Sequence, residues 1–102
     1  MIQPILKDKI PEVIRLLKEH RVKRAYAFGS VCTDNFNSES DIDLLIAFDD
    51  GLDPLIYGES YWTLLEELPK ILNRPVDLVT EKSLRNPYFI KVMSKTKTPI
   101  YE

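Results

Sequence analysis

Apolar residues recur along the first half of the chain with two different periods, and each period predicts one kind of element. Between Asp8 and His20 the spacing is helical, with Asp8 as the expected N-cap and an apolar face made of Ile10, Val13, Ile14 and Leu17. The runs Val22–Phe28 and Ile42–Phe48 have the length and composition of buried strands. Between them, Gly29 and a polar stretch over residues 33–40 predict a short helix or loop.

The second half of the chain repeats this alternation. Asp53-Pro54 predicts the start of a helix that runs to about Asn73, with an inward stripe of Tyr61, Leu65, Leu68 and Leu72. Pro69 lies in that stripe, so we expect it to kink the helix or divide it. A short strand over Pro75–Thr80 follows. Asn86-Pro87 predicts the start of a last helix, with Phe89, Val92 and Met93 inward, and Thr98–Tyr101 is a candidate edge strand.

This order of elements predicts an α/β (α+β) fold, in which a small mixed sheet is packed by about four helices. A length of 102 residues, 44% of them hydrophobic, suits one domain spanning residues 1–102. No apolar run approaches the ~18 residues of a membrane span, and the start of the chain lacks a secretory signal. We therefore expect a cytoplasmic protein with no membrane association.

Charge is distributed unevenly along the chain. Residues 1–24 and residues 70–102 each carry seven basic and three acidic side chains, whereas residues 25–69 carry ten acidic and no basic ones. Clustered lysine and arginine with interleaved aromatics, which a nucleic-acid groove requires, are not evident. One cysteine and one histidine exclude an internal disulfide and a zinc site built from these residues. Carboxylates are the abundant metal ligands, and a solvated acidic surface is the alternative interpretation of the central block.

Three carboxylates occupy strand positions that burial would normally exclude. Asp41 and Asp43 open the second strand, and Asp77 interrupts the third. Residues two apart on a strand point to the same face, so Asp41 and Asp43 project together. A hard divalent cation such as Mg²⁺ would keep both carboxylates ionised. If the third strand lies beside the second, Asp77 reaches the same place and completes a site for one or two ions.

Gly29-Ser30 directly follows the first strand and is the other half of the predicted site. A glycine lets the backbone approach a ligand closely, and free N–H groups with the Ser30 hydroxyl can donate to a phosphate. Each motif alone is common by chance, since Gly-Ser is usually a plain turn. The Gly-Ser turn and the strand carboxylates together point to a nucleoside triphosphate bound with magnesium.

Gly29-Ser30, ten intervening residues and Asp41-Ile42-Asp43 resemble the signature of the DNA polymerase β-like nucleotidyltransferases, in their minimal, single-domain branch. The segments AYAFGS, SDIDLLIAF and RPVDLVT are similar to the first three strands of that branch. The resemblance implies metal binding by Asp41 and Asp43. It implies that Asp77 activates the acceptor hydroxyl and joins one metal, and that Gly29 with Ser30 holds the β- and γ-phosphates. Two Mg²⁺ ions and ATP, or another nucleoside triphosphate, are therefore expected.

The chain departs from that pattern just after the Gly-Ser turn. Many relatives carry Ala-Arg-Gly where this sequence has Cys32-Thr33-Asp34, so a cation and a glycine are replaced and an acid is added. Phosphate charge would then be met by metal, by backbone N–H groups or by basic side chains. Arg85, Lys91 and Lys95 are the candidates, with surface solubility as the alternative role for each.

The remaining polar and aromatic residues are assigned no catalytic role. His20 sits at a helix end, where a cation is favourable, and Cys32 has no histidine partner. Tyr61 and Trp62 are interpreted as core or interface anchors. Tyr57, Tyr88 and Tyr101 could stack on a base.

The activity implied is transfer of a nucleoside monophosphate, AMP from ATP, to a hydroxyl, with release of pyrophosphate. Minimal members of the family are often paired with a helical HEPN-type protein in toxin–antitoxin systems, and some transfer AMP to a tyrosine of that toxin. By resemblance, we expect an antitoxin that modifies such a partner. One alternative is a catalytically weak nucleotide-binding antitoxin that acts by protein binding. The other is an enzyme for a small molecule or an RNA end, with its acceptor pocket in a homo-oligomer.

Overall fold

The computed structural model describes all of residues 1–102, which form four helices and four strands. Its helices are α1 (Pro4–Lys7), α2 (Ile10–Glu19), α3 (Pro54–Leu72) and α4 (Pro87–Ser94). Its strands are β1 (Val22–Phe28), β2 (Ile42–Phe48), β3 (Val76–Thr80) and β4 (Thr98–Tyr101). Two 3₁₀ turns, Gly29–Cys32 and Glu81–Ser83, complete the order. No helix has the length and apolar character that crossing a bilayer requires.

The sheet is mixed, with strand order β3-β2-β1-β4. β1 pairs antiparallel with β2 and with β4, whereas β2 and β3 run parallel because α3 forms the crossover between them. The predicted fold class, four helices on a small mixed sheet, is confirmed.

The two faces of the sheet have different roles. One face packs against α2 and α3 in the main core, whose buried residues include Ala25, Ala27, Ile42, Leu44, Ile46, Leu64, Leu68 and Leu72. The other, here called the α4 face, holds a small cluster of Phe28, Leu45 and Met93. Because side chains alternate along a strand, Asp43 and Asp77 lie on the α4 face with Phe28 and Leu45. The main core lies on the opposite face of the sheet, so these two carboxylates do not enter it.

The start of the chain corrects one prediction. Asp8 is not the N-cap of the first long helix: it ends α1, and Lys9 precedes α2 without a capping side-chain bond. The extra turn forms because Pro4 favours a first helical position and Leu6 is fully buried. The amide of Gln3 also donates to the Val31 carbonyl at 2.8 Å, which ties this segment to the turn after β1.

Helix α3 begins as predicted, with the Asp53 carboxylate accepting from the Leu55 amide at 2.9 Å. Pro69 does not divide it, since the helix continues to Leu72 and only a bond in its last turn is lost. The predicted inward stripe is partly wrong. Leu64, Leu68 and Leu72 are buried, whereas Tyr61 and Leu65 flank them and are half-buried.

Helix α4 also begins at the predicted place, where the Asn86 side chain accepts from the Tyr88 amide at 2.9 Å. Of its three predicted inward residues, only Met93 is fully inside. Val92 is 43% exposed, and Phe89 is 39% exposed although its ring packs edge-on against Phe28. An eight-residue helix lying on one face of a sheet buries a narrow stripe, and Val92 falls outside it.

Candidate active site

Asp43 and Asp77 lie side by side on neighbouring strands. β2 and β3 are parallel, and their register pairs Asp43 directly with Asp77. On its other side Asp43 faces Phe28, the last residue of β1. The sequence predicts this arrangement only if β3 lies beside β2, and in the structure the two strands are paired.

Asp41 completes the acidic group. It lies two residues before Asp43, just ahead of β2, and is exposed, as is Asp77, while Asp43 is half-buried. Burial raises the pKa of Asp43 to about 6, and the nearby negative charges of Asp77 and Asp41 act in the same direction. The three predicted carboxylates are therefore close enough to influence one another.

The Gly29-Ser30 turn lies directly against this group. Gly29 has φ of +77°, in the left-handed region that favours glycine, and starts the 3₁₀ turn after β1. A Cβ placed on Gly29 would collide with Oδ2 of Asp43, so the backbone of the turn touches the carboxylate. Ser30, the next residue, is half-buried beside it. The structure thus brings all five predicted site residues to one end of the α4 face.

Thr96 is a residue of this site that sequence reasoning missed. Its Oγ1 accepts a hydrogen bond of 2.7 Å from the Gly29 amide, across 67 residues of sequence. The expectation that the turn offers free N–H groups therefore does not hold for the amide of Gly29 itself. No sequence signal places a threonine after α4 against a turn after β1.

The segment that departs from the family pattern forms a closed turn. The Thr33 hydroxyl donates to the Ser30 carbonyl at 3.0 Å, and the Gln3 side chain donates to the Thr33 carbonyl at 2.6 Å. Burial raises the pKa of the Cys32 thiol, which fits the interpretation that it is not a nucleophile. Asp34 is exposed. Hydrogen bonds within the chain thus shape this turn, which has no arginine.

Arg74 holds the loop that leads to Asp41. Its guanidinium donates to the carbonyls of Asn37 and Ser40, each at 2.7 Å, and stacks on the Phe36 ring at 4.5 Å from the centroid. Ser40 directly precedes Asp41, so Arg74 fixes the backbone from which that carboxylate projects. Sequence reasoning missed this residue as well.

We expect Arg74→Ala to lower the free energy of unfolding by about 1–2 kcal/mol, because two charge-assisted hydrogen bonds and a stacking contact are lost. Arg74→Lys should recover only part of this loss, since an ammonium lacks the flat guanidinium that stacks on the Phe36 ring. Urea denaturation measures the stability, and limited proteolysis of the 33–40 loop measures its order. Lys70→Ala is the control, because Lys70 is exposed and its nearest carboxylate, on Glu67, is 3.8 Å away. Equal stability of Arg74→Ala and Lys70→Ala would contradict this role.

The candidate cations for phosphate lie in α4 or close to its ends. Arg85, Lys91 and Lys95 are exposed, and none of them forms a salt bridge. Tyr88 and Lys91 lie in α4, and Lys95 is its C-cap. Their spacing is helical, so the three side chains lie on one side of the helix. Their assignment to phosphate stays a prediction.

The predicted base-stacking tyrosines differ in availability. Tyr88 is 75% exposed and free to take a partner. The Tyr101 hydroxyl donates to the Val22 carbonyl at 2.6 Å, and the Tyr57 ring packs on Phe48. Tyr88, in α4, has no such hydroxyl hydrogen bond or ring contact. It is therefore the most available of the three tyrosines.

Magnesium is the metal that the resemblance implies for this site. No group of three or more His, Cys, Asp or Glu side chains is arranged to hold a metal ion by itself. Mg²⁺, however, keeps several waters and is usually bound by one or two carboxylates together with substrate phosphates. The paired oxygen donors of Asp43 and Asp77 fit that mode of binding. Binding of two ions, and the part of Asp41 in it, stay predictions.

Comparison with known proteins gives the same picture. A model of the nucleotidyltransferase domain family matches residues 8–99. A candidate protein adenylyltransferase of Methanocaldococcus jannaschii is 40% identical over 89 residues, which cover 82% of this chain and 87% of the relative. The structure of a candidate minimal nucleotidyltransferase, 29% identical, superposes with a TM-score of 0.75 and covers 97% of this chain and 96% of that one.

A more distant match shares the fold. A chain in the structure of a tri-AMPylated Shewanella oneidensis HEPN toxin in complex with MNT antitoxin is 23% identical. It superposes with a TM-score of 0.65 and covers 93% of this chain and 71% of that one.

A mixed sheet with aspartates on adjacent strands beside a Gly-Ser turn defines the class as a minimal nucleotidyltransferase fold. This chain belongs to the nucleotidyltransferase domain family, which confirms the resemblance inferred from Gly29-Ser30 and Asp41-Ile42-Asp43. The predicted enzyme class, a nucleotidyltransferase, is confirmed with it.

Proposed function

We propose that this protein transfers AMP from ATP, with Mg²⁺, to a hydroxyl group of a partner protein. The observation that carries the proposal is the in-register pair Asp43 and Asp77, with the backbone of Gly29 held against the Asp43 carboxylate. Carboxylates for a hard cation and a turn suited to phosphate are thus placed side by side. Neither Asp43 nor Asp77 forms a salt bridge within the fold.

The exposure of each carboxylate supports a division of labour. Asp77 is exposed on the edge strand β3, so a hydroxyl carried by another protein can approach it. In the proposed reaction the acceptor oxygen bonds to the α-phosphorus and the bond from that phosphorus to pyrophosphate breaks. The acceptor proton passes to Asp77 and then to solvent. Asp43, half-buried, holds its position beside the turn, and bound Mg²⁺ supplies charge neutralisation of the phosphates.

A protein acceptor is supported by the relatives. The Methanocaldococcus jannaschii relative bears the name of a protein adenylyltransferase, and the Shewanella oneidensis complex contains an AMPylated HEPN toxin. We therefore propose a HEPN-type protein as the partner and this chain as its antitoxin. A tyrosine is the hydroxyl that we propose as acceptor.

A second candidate is an antitoxin that acts by protein binding alone. Large apolar side chains are exposed on two helices, with Leu55 at 70% and Trp62 at 65% on α3, and Tyr88 at 75% on α4. Exposed apolar residues of this kind are typical of protein interaction surfaces. Such a surface would serve an enzyme that binds its acceptor as well, so activity separates the two candidates.

The test titrates ATP into the chain by calorimetry, with and without Mg²⁺. We expect magnesium-dependent binding that weakens more than about 100-fold in Asp41→Asn/Asp43→Asn, because the metal loses its carboxylates. Asp49→Asn/Asp50→Asn is the matched control, since it removes two charges at the opposite end of β2. That control should bind within about twofold of the wild type. Binding that is absent from the wild type, or equal in both double variants, would contradict the proposal.

Transfer is measured with ATP labelled at the α-phosphate and a HEPN-type protein as acceptor. Label on the acceptor that requires Asp41 and Asp43 supports the enzyme. If Asp41→Asn/Asp43→Asn neutralises a HEPN-type toxin as well as the wild type does, the result supports the antitoxin that acts by protein binding alone. Label on RNA or on a small molecule, and not on protein, would contradict the proposed acceptor class.

A further inference from the structure

Thr96 connects the end of α4 to the turn beside the carboxylates. Its Oγ1 accepts from the Gly29 amide at 2.7 Å and donates to the Met93 carbonyl at 3.3 Å, so one hydroxyl joins the two segments. Met93 is buried on the α4 face beside Phe28, the residue before Gly29. The hydrogen bond therefore lies at the edge of a packed cluster.

The Gly29 backbone needs such a restraint. Its φ of +77° is one that glycine adopts freely but does not prefer over other conformations, so the residue alone does not hold the turn in place. The turn also presses on the Asp43 carboxylate closely enough to exclude a Cβ. A small rotation at Gly29 would move Ser30 and the turn away from Asp43.

We propose that Thr96 is a positioning residue for nucleotide binding: its hydroxyl fixes the Gly29-Ser30 turn at the distance from Asp43 that the triphosphate site requires. The inference rests on the proposed function and adds to it a residue outside the family signature. It also gives the segment after α4 a role, because Thr98 begins β4 and its hydroxyl donates to the Thr96 carbonyl at 2.9 Å. Pairing of β4 with β1 thus places Thr96 over the turn.

Two substitutions separate the hydroxyl from the shape of the side chain. Thr96→Val keeps the branched shape and removes the acceptor, whereas Thr96→Ser keeps the hydroxyl and removes a methyl group. Ser94→Ala is the matched control, since it removes a nearby hydroxyl, at the end of α4, that donates to the Ile90 carbonyl at 2.7 Å. Ser94 is exposed and is not bonded to the turn.

Calorimetric titration with ATP and Mg²⁺ gives the dissociation constant of each variant, and thermal denaturation gives its stability. We expect Thr96→Val to weaken binding roughly five- to tenfold, the effect of losing about one hydrogen bond. Thr96→Ser and Ser94→Ala should stay within about twofold of the wild type. Equal binding by Thr96→Val and the wild type would overturn the inference, as would equal weakening by Thr96→Val and Thr96→Ser. The inference would also be overturned if Ser94→Ala weakened ATP binding as much as Thr96→Val does, at the same loss of thermal stability.

Amide hydrogen exchange of Gly29, measured by NMR without ligand, distinguishes failure of this inference from failure of the proposed function. Exchange should accelerate about tenfold or more in Thr96→Val and not in Thr96→Ser. If the wild type does not bind ATP but exchange responds this way, the hydroxyl fixes the turn and the proposed ligand is wrong. If exchange does not respond, Thr96 does not fix the turn, whatever the wild type binds.

Discussion

Replacing Gly29 with alanine is expected to lower the free energy of unfolding by about 2–5 kcal/mol and to weaken magnesium-dependent ATP binding more than tenfold. Two effects add. A non-glycine residue is strained at φ of +77°, and the new methyl group would overlap Oδ2 of Asp43. Either the turn or the carboxylate must move, so the loss of binding should accompany the loss of stability.

Two other glycines provide matched controls for this variant. Gly51 has φ of +71°, yet a Cβ there meets nothing within 4 Å, so Gly51→Ala tests backbone strain without the collision. Gly58 lies inside α3, and a Cβ there also meets nothing within 4 Å. Gly58→Ala should therefore stabilise the chain by roughly 0.5–1 kcal/mol, as alanine does inside a helix.

Chemical denaturation of the three variants gives the comparison. We expect Gly29→Ala to be the most destabilised, and both controls to bind ATP as the wild type does. Combining Gly29→Ala with Asp43→Ala removes the oxygen that the methyl group meets, so the two substitutions should be non-additive. A Gly29→Ala protein as stable as Gly51→Ala would show that the turn does not press on Asp43.

Part of the arrangement of the candidate site could be predicted from the sequence, because strand alternation is a short-range rule. Strand alternation puts Asp41 and Asp43 on one side, and a strand lying parallel beside β2 brings Asp77 next to Asp43. The Gly-Ser turn is adjacent to them because β1 and β2 are antiparallel neighbours and Phe28 faces Asp43. The side of the sheet on which each residue lies follows from its position in a strand, whereas the identity of the neighbouring strands comes from the structure.

Contacts made by Thr96 and Arg74 could not be predicted in this way. Both are bonds from a side chain to the backbone of a distant segment, 67 residues away for Thr96 and 34 for the Arg74 bond to Ser40. Hydrophobic periodicity carries no information about such bonds. The error in the α3 stripe has a related cause: Leu64 and Leu65 are both apolar, and packing against α2 and the sheet decides that Leu64 is the one buried.

The acidic block of residues 25–69 combines two kinds of carboxylate that the composition could not separate. Asp50 lies at the far end of β2 and pairs with Lys23 at 2.8 Å, which lowers its pKa. Asp43 lies at the other end of the same strand, forms no salt bridge, and has a raised pKa. The far end is thus an ordinary ion pair at the surface, whereas the near end is a group of acids without a basic partner.

This difference predicts that Asp43→Asn stabilises the metal-free protein near pH 7. The carboxylate of Asp43 has a folded pKa of about 6 against an ordinary value of 3.8, so folding disfavours its charged form. The penalty is fully present above about pH 6 and disappears as the pH falls below about 4, where the group is protonated in both states. Since Asp43 is only half-buried, solvent screening limits the gain from Asn to about 1–2 kcal/mol.

Urea denaturation in a chelator, at a series of pH values, tests this sign. We expect the advantage of Asp43→Asn over the wild type to be greatest near neutral pH and to vanish below about pH 4. Asp50→Asn should not share the advantage, because it removes a carboxylate that Lys23 stabilises. Added Mg²⁺ and ATP should reverse the order, stabilising the wild type and not the variant. The opposite result, a wild type more stable than Asp43→Asn near neutral pH without metal, would contradict the prediction. It would mean that the Asp43 carboxylate stabilises the metal-free fold.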